Sequence, residues 1–189
     1  RSQAQVIVTS DGSYLKDDGA GAFTTTLASG LTVSGEFPVF VEGGKEVSAN
    51  QRKLFMFSGL NSVLVNSASA STASNIGTPP ADWSGSNQPR FGVNHESRIF
   101  AGGNSNDPHR IYWSTVSDHE NWTGRGSGSI SIHPGEGERL VGAVSYRGAL
   151  VCFKKPRGIY LLDTSNPFIG AWSVNQVAKN IGVAGTRAY

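Results

Sequence analysis

Four histidines, at 95, 109, 119 and 133, are the residues of this chain best suited to metal or acid–base chemistry. A zinc site needs three or four ligands converging tetrahedrally, and no two of these histidines have the H-E-x-x-H spacing that places such ligands on one face. They are expected as surface residues of turns. A covalent nucleophile needs a serine or cysteine beside a histidine–carboxylate pair. Cys152, between Val151 and Phe153, sits in an apolar run where a thiol packs as a small hydrophobe. The string Gly124-Arg125-Gly126-Ser127-Gly128 lacks the strand-to-helix setting of a nucleophile elbow and the lysine of a phosphate loop. Asn104-Ser105-Asn106-Asp107 and Asp17-Asp18 are rich in oxygen, but calcium takes six to eight oxygens, several from carboxylates. Both read as turns closed by side-chain oxygens. No catalytic, cofactor-binding or metal residue is assigned, and the chain is expected not to be an enzyme.

Asp118-His119-Glu120-Asn121-Trp122 approaches the Asp-box turn of glycan-cleaving propellers, which has glycine two residues and an aromatic five residues after the aspartate. Here Glu120 replaces the glycine and Trp122 comes one residue early, so the segment reads as a turn pinning an aromatic under a sheet edge. The basic cluster Arg147, Lys154, Lys155 and Arg157 fits either phosphate contact in a DNA channel or a hairpin whose cations keep a strand edge from pairing with strangers. The loops 67–78 and Asn104-Ser105-Asn106-Asp107 are polar, too long for simple hairpins, and are candidate interfaces.

These residues must be positioned by β structure. The 189 residues hold 24 glycines and 8 prolines, leaving little room for long helices. Net charge is +2, from 16 basic and 14 acidic residues, too balanced to make nucleic acid or an anionic membrane the main partner. No run reaches the ~18 apolar residues of a membrane helix.

Residues 1–44 read as an irregular β-rich segment, with strands at 5–9, 22–28, 31–34 and 37–41. From residue 45 onward a pattern recurs of four short strands between turns. Strands are expected near 53–57, 62–66, 98–101, 110–114, 149–154 and 158–162. Trp83, Trp122 and Trp172 mark a period of 40–50 residues, the spacing of propeller blades. One four-stranded sheet cannot bury both of its faces alone, so blades must stack. The expected fold is all-β: propeller-like blades of four-stranded antiparallel meanders, about two to three within 45–189, as a fragment of a larger propeller. The expected core includes Leu54, Phe55, Phe57, Ile99, Phe100, Ile111, Trp113, Leu150, Val151, Phe153, Ile159, Tyr160 and Trp172.

Residues 79–189 resemble β-propeller structural proteins of tailed bacteriophages, of the tail nozzle or stabilisation type in short-tailed phages. The stretches that carry the resemblance are Pro80-Ala81-Asp82-Trp83 leading into Phe91-Gly92-Val93-Asn94-His95-Glu96-Ser97-Arg98-Ile99-Phe100, then Gly103-Asn104-Ser105-Asn106-Asp107-Pro108-His109-Arg110-Ile111-Tyr112-Trp113-Ser114, Asp118-His119-Glu120-Asn121-Trp122, and Arg147-Gly148-Ala149-Leu150-Val151-Cys152-Phe153-Lys154 with Arg157-Gly158-Ile159-Tyr160. The resemblance implies a virion component made in the bacterial cytoplasm. It would form a homo-oligomeric ring around the DNA exit channel, next to portal, adaptor or other tail proteins, with no cofactor and no membrane. The alternative is a carbohydrate-binding or glycan-cleaving propeller using Trp83, Trp122 and Trp172 as stacking platforms.

Overall fold

The structure, a computed structural model, describes residues 5–33, 37–44, 52–134 and 138–183. Among the described residues, four antiparallel sheets follow one another. The first has three strands, β1 (Val6–Val8), β2 (Tyr14–Lys16) and β3 (Thr25–Ala28). Three four-stranded meanders follow: β4 (Val39–Gly44) to β7 (Ser74–Asn75) through β5 (Arg52–Phe57) and β6 (Leu64–Ser67); β8 (Phe91–His95), β9 (Arg98–Gly102), β10 (Arg110–Trp113) and β11 (Gly128–Ser131); and β12 (Arg139–Tyr146), β13 (Ala149–Lys155), β14 (Ile159–Asp163) and β15 (Ser173–Ala178). In each meander the strands lie in sequence order, which is the plan of a propeller blade. The leading strands β4, β8 and β12 touch in turn, so the blades stack face to face.

Local chemistry sets the hairpins. Glu96 and Ser97 (φ 47° and 58°) and Arg147 and Gly148 (φ 48° and 76°) form two-residue turns with both residues left-handed. Such turns match the right-handed twist of the strands they join. They fix the registers His95↔Arg98 and Tyr146↔Ala149.

Burial follows the stacking. On β9 every residue is buried, because its sheet is covered on both sides. Ile99 and Ala101 point into a core shared with Phe55, Phe57 and Val65 of the preceding blade. Phe100 points the other way, into a core shared with Leu150, Cys152, Tyr160 and Leu162 of the next blade. β5 behaves like β9: Phe55 and Phe57 face forward, while Met56 faces back onto Tyr14 and Leu27 of the first sheet. β13 alternates instead. Leu150, Cys152 and Lys154 are buried, while Ala149, Val151 and Phe153 are half-buried on the far face.

Several expectations shift. The segment 67–78, expected as a loop, contains β7, the fourth strand of its blade. The expected boundary at residue 44 falls between β4 and β5, which pair along their whole length from Val39↔Phe57 to Gly44↔Arg52. β2 was not expected, and no strand forms at 31–33; the rest of that expected strand, residue 34, lies outside the described residues, as do 184–189. The blade period is read from the leading strands, Val39 to Phe91 and Phe91 to Arg139, at 52 and 48 residues. The tryptophans hold unlike places: Trp83 lies between β7 and β8, whereas Trp122 and Trp172 each precede a fourth strand.

Stacking makes a direct expectation. Phe100→Ala, between two sheets, should cost about 3–5 kcal/mol, and Val151→Ala, on the far face, less than about 1 kcal/mol. Urea unfolding followed by tryptophan fluorescence measures both; equal costs would count against the stacked order.

Candidate functional site at the hairpin end of the blades

The residues singled out from sequence do not converge. Lys154 is 0% exposed; its Nζ donates to the His133 carbonyl at 2.7 Å and lies 5.0 Å from the centre of the Tyr160 ring. Lys155, the next residue on the strand, is exposed on the opposite face. Arg157 pairs with Glu138 at 3.1 Å, a half-exposed guanidinium holding a carboxylate that is 4% exposed. Arg147 lies at the other end of the β12–β13 hairpin, roughly 20 Å away along β13, with its guanidinium over Tyr146 at 5.3 Å. The expected basic cluster is therefore dispersed by strand alternation and hairpin length.

The 104–107 loop is held by its own chain. Asn104, fully buried, donates to the Asn87 carbonyl at 3.0 Å, and Ser105 donates to the Ser86 carbonyl at 3.2 Å. The Asn106 amide reaches Asn87 Oδ1 at 2.9 Å, and Asp107 pairs with Arg110 at 2.7 Å.

The platforms expected for sugars are mostly covered. Trp83 and Trp122 are 6% and 3% exposed and pack on each other with ring centres 4.8 Å apart. Trp122 is pinned by its indole N–H to the His119 carbonyl at 2.9 Å. Trp172 is wedged against Trp113 at 4.9 Å and Phe100 at 5.9 Å.

What the fold does assemble lies at the end of the blades where the first and second strands of each sheet turn. Two of the histidines expected on the surface are buried there, His95 at 3% and His119 at 1% exposure. Each ties neighbouring blades together. His119, in the β10–β11 loop, accepts the Gly44 amide on Nδ1 at 3.0 Å, so its Nε2–H donates to the Ser97 carbonyl at 3.0 Å. Lys53 and Glu120 add an ion pair across the same junction. His95, at the end of β8, lies between two hydroxyls of the next blade. Ser145 Oγ on β12 is 2.7 Å from Nδ1, and Thr164 Oγ1, just past β14, is 2.8 Å from Nε2. Thr164 Oγ1 lies 3.0 Å from Glu96 Oε2 and 3.3 Å from the Gly148 carbonyl, two acceptors for its one hydroxyl proton. Burial moves His95 below the ordinary histidine range, against the opposing pull of Glu96. Sequence reading missed this constellation. Its members stand 50 and 69 residues apart, and no local motif links them. Among the described residues, no group of three or more His, Cys, Asp or Glu is placed to hold a metal ion.

No protein-family model matches the chain, and no curated protein does. The solved structure of BBS1N in complex with ARL6DN superposes on it with a TM-score of 0.53 at 13% identity, over 97% of this chain and 53% of that one. BBS1N is a β-propeller. The likeness is one of fold. It agrees with the observed meanders, and the chain is all-β and propeller-like. It spans about half the length of the structure it matches.

The buried histidine makes stability pH-dependent. His95 is harder to protonate folded than unfolded, so between its folded value and 6.5 the unfolded chain binds more protons. The contribution is complete above pH 6.5 and is lost as pH falls towards the folded value. His109, lowered chiefly by burial and then by Lys154, acts in the same direction. The melting temperature should fall between pH 7.5 and pH 5 (on the order of the shifts that buried histidines give), and His95→Gln should flatten that fall. An equally steep fall in the variant would assign it elsewhere.

Proposed function

We propose that this chain is a non-enzymatic structural element of a bacteriophage tail, of the nozzle type that residues 79–189 resemble, and that its copies join head to tail in a ring around the DNA exit channel. The observation that carries this reading is the pair of unlike faces at the two ends of the blade stack. On the last sheet, Val144, Val151 and Leu161 lie directly opposite one another across three strands, so they share one face, with Tyr146 and Ile159 beside them. Val144 is 40% and Tyr146 55% exposed. Among the described residues, no core cluster contains Val151 or Leu161. On the first sheet the corresponding row is Ile7, Leu15 and Thr26, also outside the clusters. Each inner blade buries an apolar row of this kind against a neighbouring sheet.

A joint between two different faces is not two-fold symmetric. It is heterologous, and such joints close into rings or run on as filaments. In the ring reading the last sheet of one copy meets the first sheet of another. In this reading the exposed cations Arg147 and Lys155 face DNA or a neighbouring tail, portal or adaptor protein. The carbohydrate reading loses support, since Trp83 and Trp122 are covered.

Sedimentation equilibrium tests the joint. The chain should self-associate as its concentration rises through the micromolar range, and Leu161→Glu should weaken association at least tenfold with an unchanged far-ultraviolet spectrum. A wild-type chain that stays monomeric throughout would sink the proposal. In reconstructed particles the copies should surround the tail axis; their absence from it would refute the phage assignment even if association holds.

A further inference from the structure

The hydroxyl of Ser145 ends a chain of hydrogen bonds that begins at a carboxylate. Thr164 has one hydroxyl proton, and two of its neighbours, Glu96 Oε2 at 3.0 Å and the Gly148 carbonyl at 3.3 Å, can only accept it. The carboxylate is the stronger and nearer acceptor. Thr164 Oγ1 therefore accepts from His95, and the imidazole proton sits on Nε2. Nδ1 is left bare, 2.7 Å from Ser145 Oγ, and takes the serine proton as its hydrogen bond. The order is Glu96 carboxylate, Thr164 hydroxyl, His95 imidazole, Ser145 hydroxyl. The ring is buried and held from both sides, whereas Ser145 is exposed. A hydroxyl within hydrogen-bond reach of an oriented base is the arrangement of an activated nucleophile.

We propose that Ser145 is a nucleophile activated by His95, and that it is modified by electrophilic acyl or phosphonyl donors. Ser145 Oγ attacks the electrophilic carbon or phosphorus and forms a new ester bond. Its proton passes to His95 Nδ1 as the bond to the leaving group breaks. The leaving group departs with the electron pair, and the proton follows to it or to solvent. Thr164 and Glu96 are positioning residues: they fix the tautomer and stabilise the cation that forms on the ring. The roles are those of a serine–histidine–acid system, with a hydroxyl relaying between ring and carboxylate. This site faces the neighbouring blade, on the side of β12 opposite to Val144 and Tyr146, so it is independent of the proposed joint between copies.

The charged group that acts on the ring is Glu96, on its own hairpin. Glu96, 3.8 Å from Nε2, favours the charged ring, and burial opposes it with the larger effect. The ring is thus neutral, and able to take a proton, at neutral pH.

An alkyl fluorophosphonate serves as the probe: the Oγ–P bond forms, the P–F bond breaks and fluoride leaves. Peptide mass spectrometry over time should show Ser145 labelled at least tenfold faster than the exposed Ser165. The rate should fall with acid along a single titration centred below 6.5. This profile is read on the unaltered chain and does not depend on any variant folding. His95→Gln should slow labelling at least tenfold. Thr164→Val should slow it several-fold, and Thr164→Ser, which restores the hydroxyl, should recover it. Labelling of Ser145 no faster than of Ser165, a flat pH profile, or equal rates in the two Thr164 variants would each overturn the proposal and leave His95 as a pin between blades.

Discussion

Everything in this chain depends on one sheet covering the apolar face of the next. A four-stranded meander has two faces and no means of burying both. The chain solves this by placing aromatic residues that alternate between neighbours: Phe55 and Phe57 forward, Ile99 back to meet them, Phe100 forward again. Burying each such side chain contributes about 1.5–3 kcal/mol, which no single sheet could retain. The close approach also dictates where side chains must be missing. A Cβ on Gly92 would lie 2.4 Å from the Phe57 ring, and one on Gly43 would lie 2.8 Å from Ile99 and 2.6 Å from His119. Those two glycines, on the leading strands β8 and β4, let the inner edges of adjacent blades come together.

At one end of the stack, apolar packing gives way to polar pins. The same device occurs twice: His119 joins the second sheet to the third, and His95 joins the third to the fourth. The His119 ring accepts the Gly44 amide on Nδ1, and the His95 ring sits between two hydroxyls. An imidazole suits this place because it can donate and accept on opposite sides. It also gives the junction a titratable group, and in the second pin it brings a base against an exposed serine. A packing requirement and a chemical possibility thus meet at one residue.

Much of the fold was legible in the sequence because its signals are local. The strands expected near 98–101 and 149–154 follow from short-range chemistry. Other features were hidden for physical reasons. β7, two residues long and exposed, carries no apolar alternation and exists only through pairing with β6. β2 is three residues between turns, and Tyr14 is buried by the second sheet, where its hydroxyl meets Asn66 at 2.6 Å. Val151, Phe153 and Ile159 look like core in sequence, but they face away from the neighbouring blade. Lys154 looks like a surface cation, yet the strand turns it inward onto Tyr160. The histidine network was illegible altogether: its partners come from three strands of two sheets, and only the stacking brings them within reach.

Native-state hydrogen exchange tests the dependence on stacking most directly, because amide protection reports the local opening free energy of each sheet. If covering both faces is what stabilises a blade, amides of β9 and β10 should exchange slowest. Those of β13 and β14, covered on one side, should be distinctly faster, and those of β1 to β3 faster still. Equal protection of the β8–β11 and β12–β15 sheets, or exchange governed by strand length alone, would contradict the account.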